Sequence, residues 1–220
     1  MRRKSQEHRG LLAFVLLCGI TLFGLPAYAQ QHSPTLLVFG DSLSAGYRMP
    51  VEDGWVSLLD EKLKMLGSEY KVVNASVSGE TTDGGLSRLP ATLATHKPSI
   101  VIIELGGNDG LRGLPVASIK QNLIEMVQKS QDAGATVILA GIQIPPNYGP
   151  RYTEPFTQQF EEIAQSMDLP FIPFLIDGIA QRSELMQDDG IHPKAEAQGM
   201  VLDNVWPVLE TVLNEQAPQS

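Results

Sequence analysis

Cysteine is all but missing from this chain. The single Cys18 lies inside an apolar N-terminal run, so the remainder can form no internal disulfide, no thiolate metal site and no cysteine nucleophile. Basic residues are scarce as well: 16 Lys and Arg stand against 25 Asp and Glu, for a net charge of −9. Nucleic acids and anionic membrane surfaces need clustered Lys and Arg, so this balance argues against either as a main partner. Histidine is rarer still, with four in the whole chain. The sequence shows no internal repeat, low-complexity tract or linker, which leaves no ground for an array or a multidomain reading.

What is present begins with a leader. Arg2, Arg3, Lys4 and Arg9 precede an uncharged apolar run from Leu11 to Leu25, and Ala27-Tyr28-Ala29 supplies a small-x-small cleavage pattern. Residues 1–29 are expected to be a secretory signal peptide, cut after Ala29. The run is short for a bilayer span, which needs about 20 apolar residues. Leu17 before Cys18 argues against a lipoprotein. The product is expected to be periplasmic or secreted, with no stable membrane insertion after cleavage. The mature domain then spans residues 30–220, long enough to bury a core without covalent staples. Nothing signals an oligomer, and a monomer is expected.

Strand and helix patterns alternate through that domain. Leu36-Leu37-Val38-Phe39 and Ile100-Val101-Ile102-Ile103 are continuous apolar runs of the kind buried on both faces of a parallel sheet. Tyr70–Ala75 and Thr136–Ala140 read as further strands, and Phe171–Phe174 as a short fifth with Pro173 suited to an edge. Trp55, Leu58, Leu59, Leu63 and Leu66 recur at helical spacing, with Gly67 placed to stop the helix. Helices are expected at about Thr82–Thr95, where Pro90 could shorten it, around Ile119–Asp132, around Phe156–Ala164 and from about Lys194 to Leu213. Ile144 to Pro155, rich in proline, reads as a loop. The pattern predicts one α/β domain, a parallel sheet with helices on both faces. Right-handed crossovers bring the C-terminal ends of all strands to one edge, where ligands bind in such folds.

Four short segments fall where that edge requires. Gly40-Asp41-Ser42-Leu43-Ser44, Ser78-Gly79-Glu80-Thr81 and Gly106-Gly107-Asn108-Asp109 follow strands one, two and three. Asp189-Gly190-Ile191-His192-Pro193 precedes the last helix. A serine hydroxyl needs a base to become a nucleophile, and histidine serves best near neutral pH. His32 lies in the ragged N-terminus and His96 at the wrong end of the sheet, which leaves His192, held off the helix by Pro193. Asp189 could orient its ring, with Asp188 as a rival. The backbone N–H groups of Ser42 and Gly79 and the side chain of Asn108 are candidate donors to an oxyanion. Each segment alone is ordinary turn chemistry; the four together are specific.

Those four blocks resemble the SGNH (GDSL) hydrolases, from about Thr35 to Leu213. Val73–Thr82, Glu104–Gly113 and Pro146-Asn147-Tyr148-Gly149 look like the periplasmic multifunctional acyl-CoA thioesterase, lysophospholipase and arylesterase branch. The resemblance implies a flavodoxin-like α/β/α sandwich with strand order 2-1-3-4-5. It implies Ser42 as nucleophile and oxyanion donor, Gly79 and Asn108 completing the oxyanion hole, His192 as general base and then acid, and Asp189 orienting it. The α/β-hydrolase elbow G-x-S-x-G is absent around Ser42, where Ser44 holds the last position.

The expected reaction is hydrolysis of carboxylic esters and acyl thioesters through an acyl-enzyme, without metal or organic cofactor. Turns and loop anchoring account for Asp41, Asp83 and Asp109. The segments 110–115 and 144–151 should flank the cleft, with Leu111, Leu114, Ile144, Pro146 and Tyr148 as candidate substrate contacts. The implied substrates are aryl esters, acyl thioesters and lysophospholipids. The rival readings are a carbohydrate O-acetylesterase, an acyl- or lipid-binding protein without turnover, and a protease.

Overall fold

The computed structural model describes residues 33–216; the expected signal peptide lies outside them. Five parallel strands form one sheet in the order β2-β1-β3-β4-β5: β1 (Thr35–Gly40), β2 (Lys71–Asn74), β3 (Ile100–Glu104), β4 (Thr136–Ala140) and β5 (Phe171–Ile172). The central strand β3 is buried along its whole length, as its unbroken apolar run requires. Alternate residues serve opposite layers. Leu36, Val38, Ile100, Ile102 and Ile138 pack with α2 (Trp55–Met65) and α7 (Gln198–Gln216). Leu37, Phe39, Val101, Ile103 and Leu139 pack with α3 (Thr82–His96), α5 (Val116–Asp132) and α6 (Pro150–Ser166). Each fully buried Leu, Ile or Phe in these layers contributes about 1.5–3 kcal/mol.

The elements depart from the sequence reading where proline was read as a breaker. The expected loop from Ile144 to Pro155 holds a single 3₁₀ turn at Pro146–Tyr148, and α6 already starts at Pro150. Proline at the first helical position gives up no bond, because that N–H has no intrahelical partner. Pro155 lies inside α6, which continues because Phe156, Phe160 and Ile163 bury one face. Pro90 likewise stays within α3, on its exposed side, while Leu89 and Leu93 face the core. Strand β5 keeps only Phe171 and Ile172. The last helix is preceded by a 3₁₀ turn at Ala195–Ala197 and begins at Gln198. Two short helices follow strands directly: α1 (Ser42–Ala45) after β1 and α4 (Gly107–Leu111) after β3. They turn the chain at the edge where the motifs converge.

Candidate active site

Ser42 opens α1, immediately beyond β1. Asp41 caps this helix through a bond from the Leu43 N–H to its carboxylate at 3.1 Å. Gly40 has no room for a side chain, since a Cβ would lie 2.6 Å from Oε2 of Glu104. That close approach lets Glu104, at the end of β3, reach under the turn. Its Oε2 accepts from the Ser44 hydroxyl at 2.7 Å and from the Asp41 N–H at 3.3 Å. Glu104 is fully buried, and its Oε1 has no partner. Burial, and then the nearby Asp41, push its carboxyl well above the ordinary range. Burial also pushes Asp41 up to about 6, against bonds from Leu43 and Asn108.

His192 meets Ser42 from the far end of the chain. Its Nε2 lies 2.8 Å from Ser42 Oγ and its Nδ1 2.9 Å from Asp189 Oδ2. The other Asp189 oxygen accepts from the N–H groups of Ile191 and His192 at 3.0 and 3.1 Å. Partial burial works to raise the Asp189 carboxyl, but those two amides and the imidazole outweigh it and bring it to about 2. Asp189 is therefore an anion fixed against Nδ1, while Asp188 is exposed beside it. The Tyr47 ring packs on the imidazole with centroids 4.3 Å apart. Gln187 pins the histidine loop, donating to the carbonyls of Tyr47 and Pro193 at 3.0 and 3.1 Å. Met186 and Pro193 pair as an antiparallel bridge at its base.

Asn108 lies in α4 and donates through Nδ2 to Asp41 at 3.0 Å. An amide nitrogen carries two hydrogens, so one remains for a ligand. The next residue, Asp109, is buried and accepts from the N–H and hydroxyl of Thr82 at 2.9 and 2.6 Å. That bond ties α4 to the start of α3 and so to the loop bearing Gly79. Gly79 has φ +83°, a left-handed backbone that glycine adopts without strain. Its carbonyl accepts from Arg112 at 3.2 Å.

A cavity of about 390 Å³ adjoins Ser42, Asn108 and His192. Its walls are mainly apolar: Leu43, Leu111, Ile142, Ile144, Pro146, Phe174, Ile176 and Met186 contribute. Of the expected substrate contacts, Leu111, Ile144 and Pro146 line it, whereas Leu114 and Tyr148 do not. Both brace the rim: the Tyr148 hydroxyl donates to the Leu111 carbonyl at 2.8 Å, and the Leu114 carbonyl accepts from Tyr152 at 2.6 Å. Gly79 is also outside the cavity lining, in the loop on the β2 side of Ser42. Among the described residues no group of three or more His, Cys, Asp and Glu is placed to hold a metal ion. Asp41 and Asp109 are occupied as helix cap and loop tie, and Asp83 is exposed in the first turn of α3.

Residues 38–199 match the model of the GDSL-like lipase/acylhydrolase family. The chain belongs to that family. It is 48% identical to esterase TesA of Pseudomonas aeruginosa over 204 residues, covering 93% of this chain and 96% of the relative. It is 43% identical over 193 residues to a thioesterase 1/protease 1/lysophospholipase L1 of Escherichia coli, covering 88% and 91%. A crystal structure of TesA superimposes with a TM-score of 0.79 at 51% identity, over 81% of this chain and 99% of that one.

Sequence reasoning did not assign roles to Glu104, Gln187, Tyr47 or Arg88. One signal was available: Glu104 is a charge directly ending the all-apolar run Ile100–Ile103.

Proposed function

We propose that Ser42 attacks the acyl carbon of an ester or thioester while His192 Nε2 takes its proton. Asp189 holds the Nδ1–H tautomer and balances the imidazolium that forms. The oxyanion is met by the N–H groups of Ser42 and Gly79 and by Nδ2 of Asn108. His192 then returns the proton to the leaving alcohol or thiol, which leaves an acyl-enzyme on Ser42. Water, deprotonated by His192, releases the acid. The protein is a GDSL hydrolase of the esterase, thioesterase and lysophospholipase type, as its relatives are named. The observation that carries the mechanism is the unbroken chain of contacts from Ser42 through His192 to Asp189 at 2.8 and 2.9 Å, beside an apolar cavity.

The apolar wall favours an acyl or aryl group over a sugar, so it supports the ester and lysophospholipid reading against the carbohydrate O-acetylesterase. An intact nucleophile, base and orienting carboxylate serve no purpose in a binding protein. Hydrolysis of p-nitrophenyl esters from acetate to palmitate tests the reading. Ser42→Ala should lose about 10³-fold or more in kcat. Equal activity in the variant would remove Ser42 from the mechanism.

The basic start and apolar run of residues 1–29 support export with cleavage after Ala29. N-terminal sequencing of the secreted or periplasmic protein should begin at Gln30. A mature protein retaining residues 1–29 would overturn this.

A further inference from the structure

Gly79 sits in a tight turn closed by the Glu80 N–H to the Val77 carbonyl at 3.1 Å, and the Val77 N–H ties that turn to the Gly40 carbonyl at the end of β1 at 3.0 Å. A Cβ built on it would meet nothing within 4 Å, and its neighbour Val77 is 47% exposed. No side chain packs on Gly79 itself, so its N–H is aimed by those backbone bonds and by what holds the flanks of the turn. Two arginines brace the flanks. Arg112 grips the Gly79 carbonyl from the rim. Arg88, on α3, works from below: Nη1 donates to the Ala75 carbonyl at 2.7 Å, and Nε pairs with the carboxylate of Glu80. Ala75 and Glu80 are the two feet of the loop that carries Gly79.

Stability alone does not account for this arrangement. The Arg88 guanidinium is mostly buried, with Cζ 3.8 Å from the centroid of the Phe39 ring, and its Nη2 is buried without a partner. Leaving a buried donor unpaired costs stability, and ion pairs in such places are often replaced by apolar residues without loss. What the planar guanidinium adds is simultaneous reach to both feet, which a single ammonium lacks.

We propose that Arg88 is a positioning residue that sets the Gly79 amide for the oxyanion formed during acyl transfer. The proposal rests on the mechanism above, with Gly79 as one of the oxyanion donors. Arg88 acts before the substrate arrives: it fixes the loop, so the amide does not reorganise as negative charge develops.

The test compares Arg88→Met, Arg88→Lys and Glu80→Gln with wild type on p-nitrophenyl butyrate. Active sites are counted by stoichiometric fluorophosphonate labelling, and affinity for a trifluoromethyl ketone, which forms a tetrahedral adduct with a serine, is measured alongside. Arg88→Met should lower kcat per active site by about 10- to 100-fold with KM within about threefold, and weaken the ketone in parallel. The acid limb of kcat/KM should stay in place, because the contacts of His192 are untouched. Arg88→Lys should fall between wild type and Arg88→Met, and Glu80→Gln should lose activity in the same sense but less. Unchanged kcat per active site with only a lower melting temperature would overturn the proposal, as would a rise in KM alone. If Arg88→Met does not fold, the lysine and Glu80 variants decide by the same readings. Activity retained by Ser42→Ala would sink the mechanism itself. An inactive Ser42→Ala beside a fully active Arg88→Met would sink only the role of Arg88.

Discussion

The two sides of the cleft are built from different materials. Beneath and beside Ser42, where the loops after β1, β2 and β3 meet, polar groups answer one another across the chain: Asp41 with Asn108, Glu104 with Ser44, Asp109 with Thr82. The side formed after β4 and β5 is a wall of Ile142, Ile144, Pro146, Phe174 and Ile176. Hydrogen bonds are directional, so the first side fixes atoms to within tenths of an ångström. Apolar contact is graded with area, so the second sets what fits rather than where charge moves. Substitutions on the polar side should act on kcat, and those on the apolar side on the ranking of substrates.

The largest effect expected is at Asp189. Asp189→Asn keeps the shape of the side chain but removes the anion from His192, and kcat for p-nitrophenyl butyrate should drop by about 10³–10⁴-fold. A loss below tenfold would break the contrast. Because the folded-state value of about 2 lies below the ordinary 3.8, ionised Asp189 stabilises the fold above about pH 4. That contribution disappears as pH falls through about 2, and acid titration of the Asn variant should lack it.

Ile144→Ala probes the wall. It should leave acetate hydrolysis within about threefold while shifting kcat/KM toward longer chains, by up to about fourfold per methylene accommodated. A uniform fall across chain lengths would show that Ile144 serves the chemistry instead.

Glu104→Gln tests the buried acid. The fold holds this carboxyl well above the ordinary 4.5, by burial and then by the nearby Asp41, so its contribution is present at low pH and lost as pH rises above about 4.5. The Gln variant cannot ionise, so its melting temperature relative to wild type should rise between about pH 4 and pH 8, from a baseline lowered by the unpaired amide at the Oε1 position. A difference independent of pH would remove Glu104 as the titrating group. The smallest effect belongs to the exposed neighbour: Asp188→Asn should leave kcat within about twofold and stability within about 0.5 kcal/mol. A large loss there would reverse the roles of the two aspartates.

The sequence announced the fold through β1, β3 and β4, because a strand buried on both faces must be apolar throughout. It also singled out Ser42 and Asn108 just beyond strand ends, and Asp189 and His192 in the loop before the last helix, where the structure joins Ser42, His192 and Asp189 by hydrogen bonds. Helix α6 was shortened in the reading because Gly149, Pro150 and Pro155 look like loop residues, although Pro150 is well suited to begin a helix. Leu114 and Tyr148 were expected in the cleft and instead brace its rim, since only the path of the loops decides which apolar residues face inward. Glu104 and Gln187 act on backbone groups 63 and 140 residues away, distances over which no local pattern signals contact.

The histidine loop makes activity more fragile than the fold. His192 shares no strand or helix with Ser42. It is delivered by a short segment fastened at the Met186–Pro193 bridge, by the Lys194 N–H to Leu185 and by the Gln187 amide. Opening that latch breaks a handful of bonds and draws only Met186 and Leu185 from one of the two buried layers, so it should require less free energy than global unfolding. On warming, activity should therefore be lost while the sheet is still intact, and on cooling the base should return without refolding.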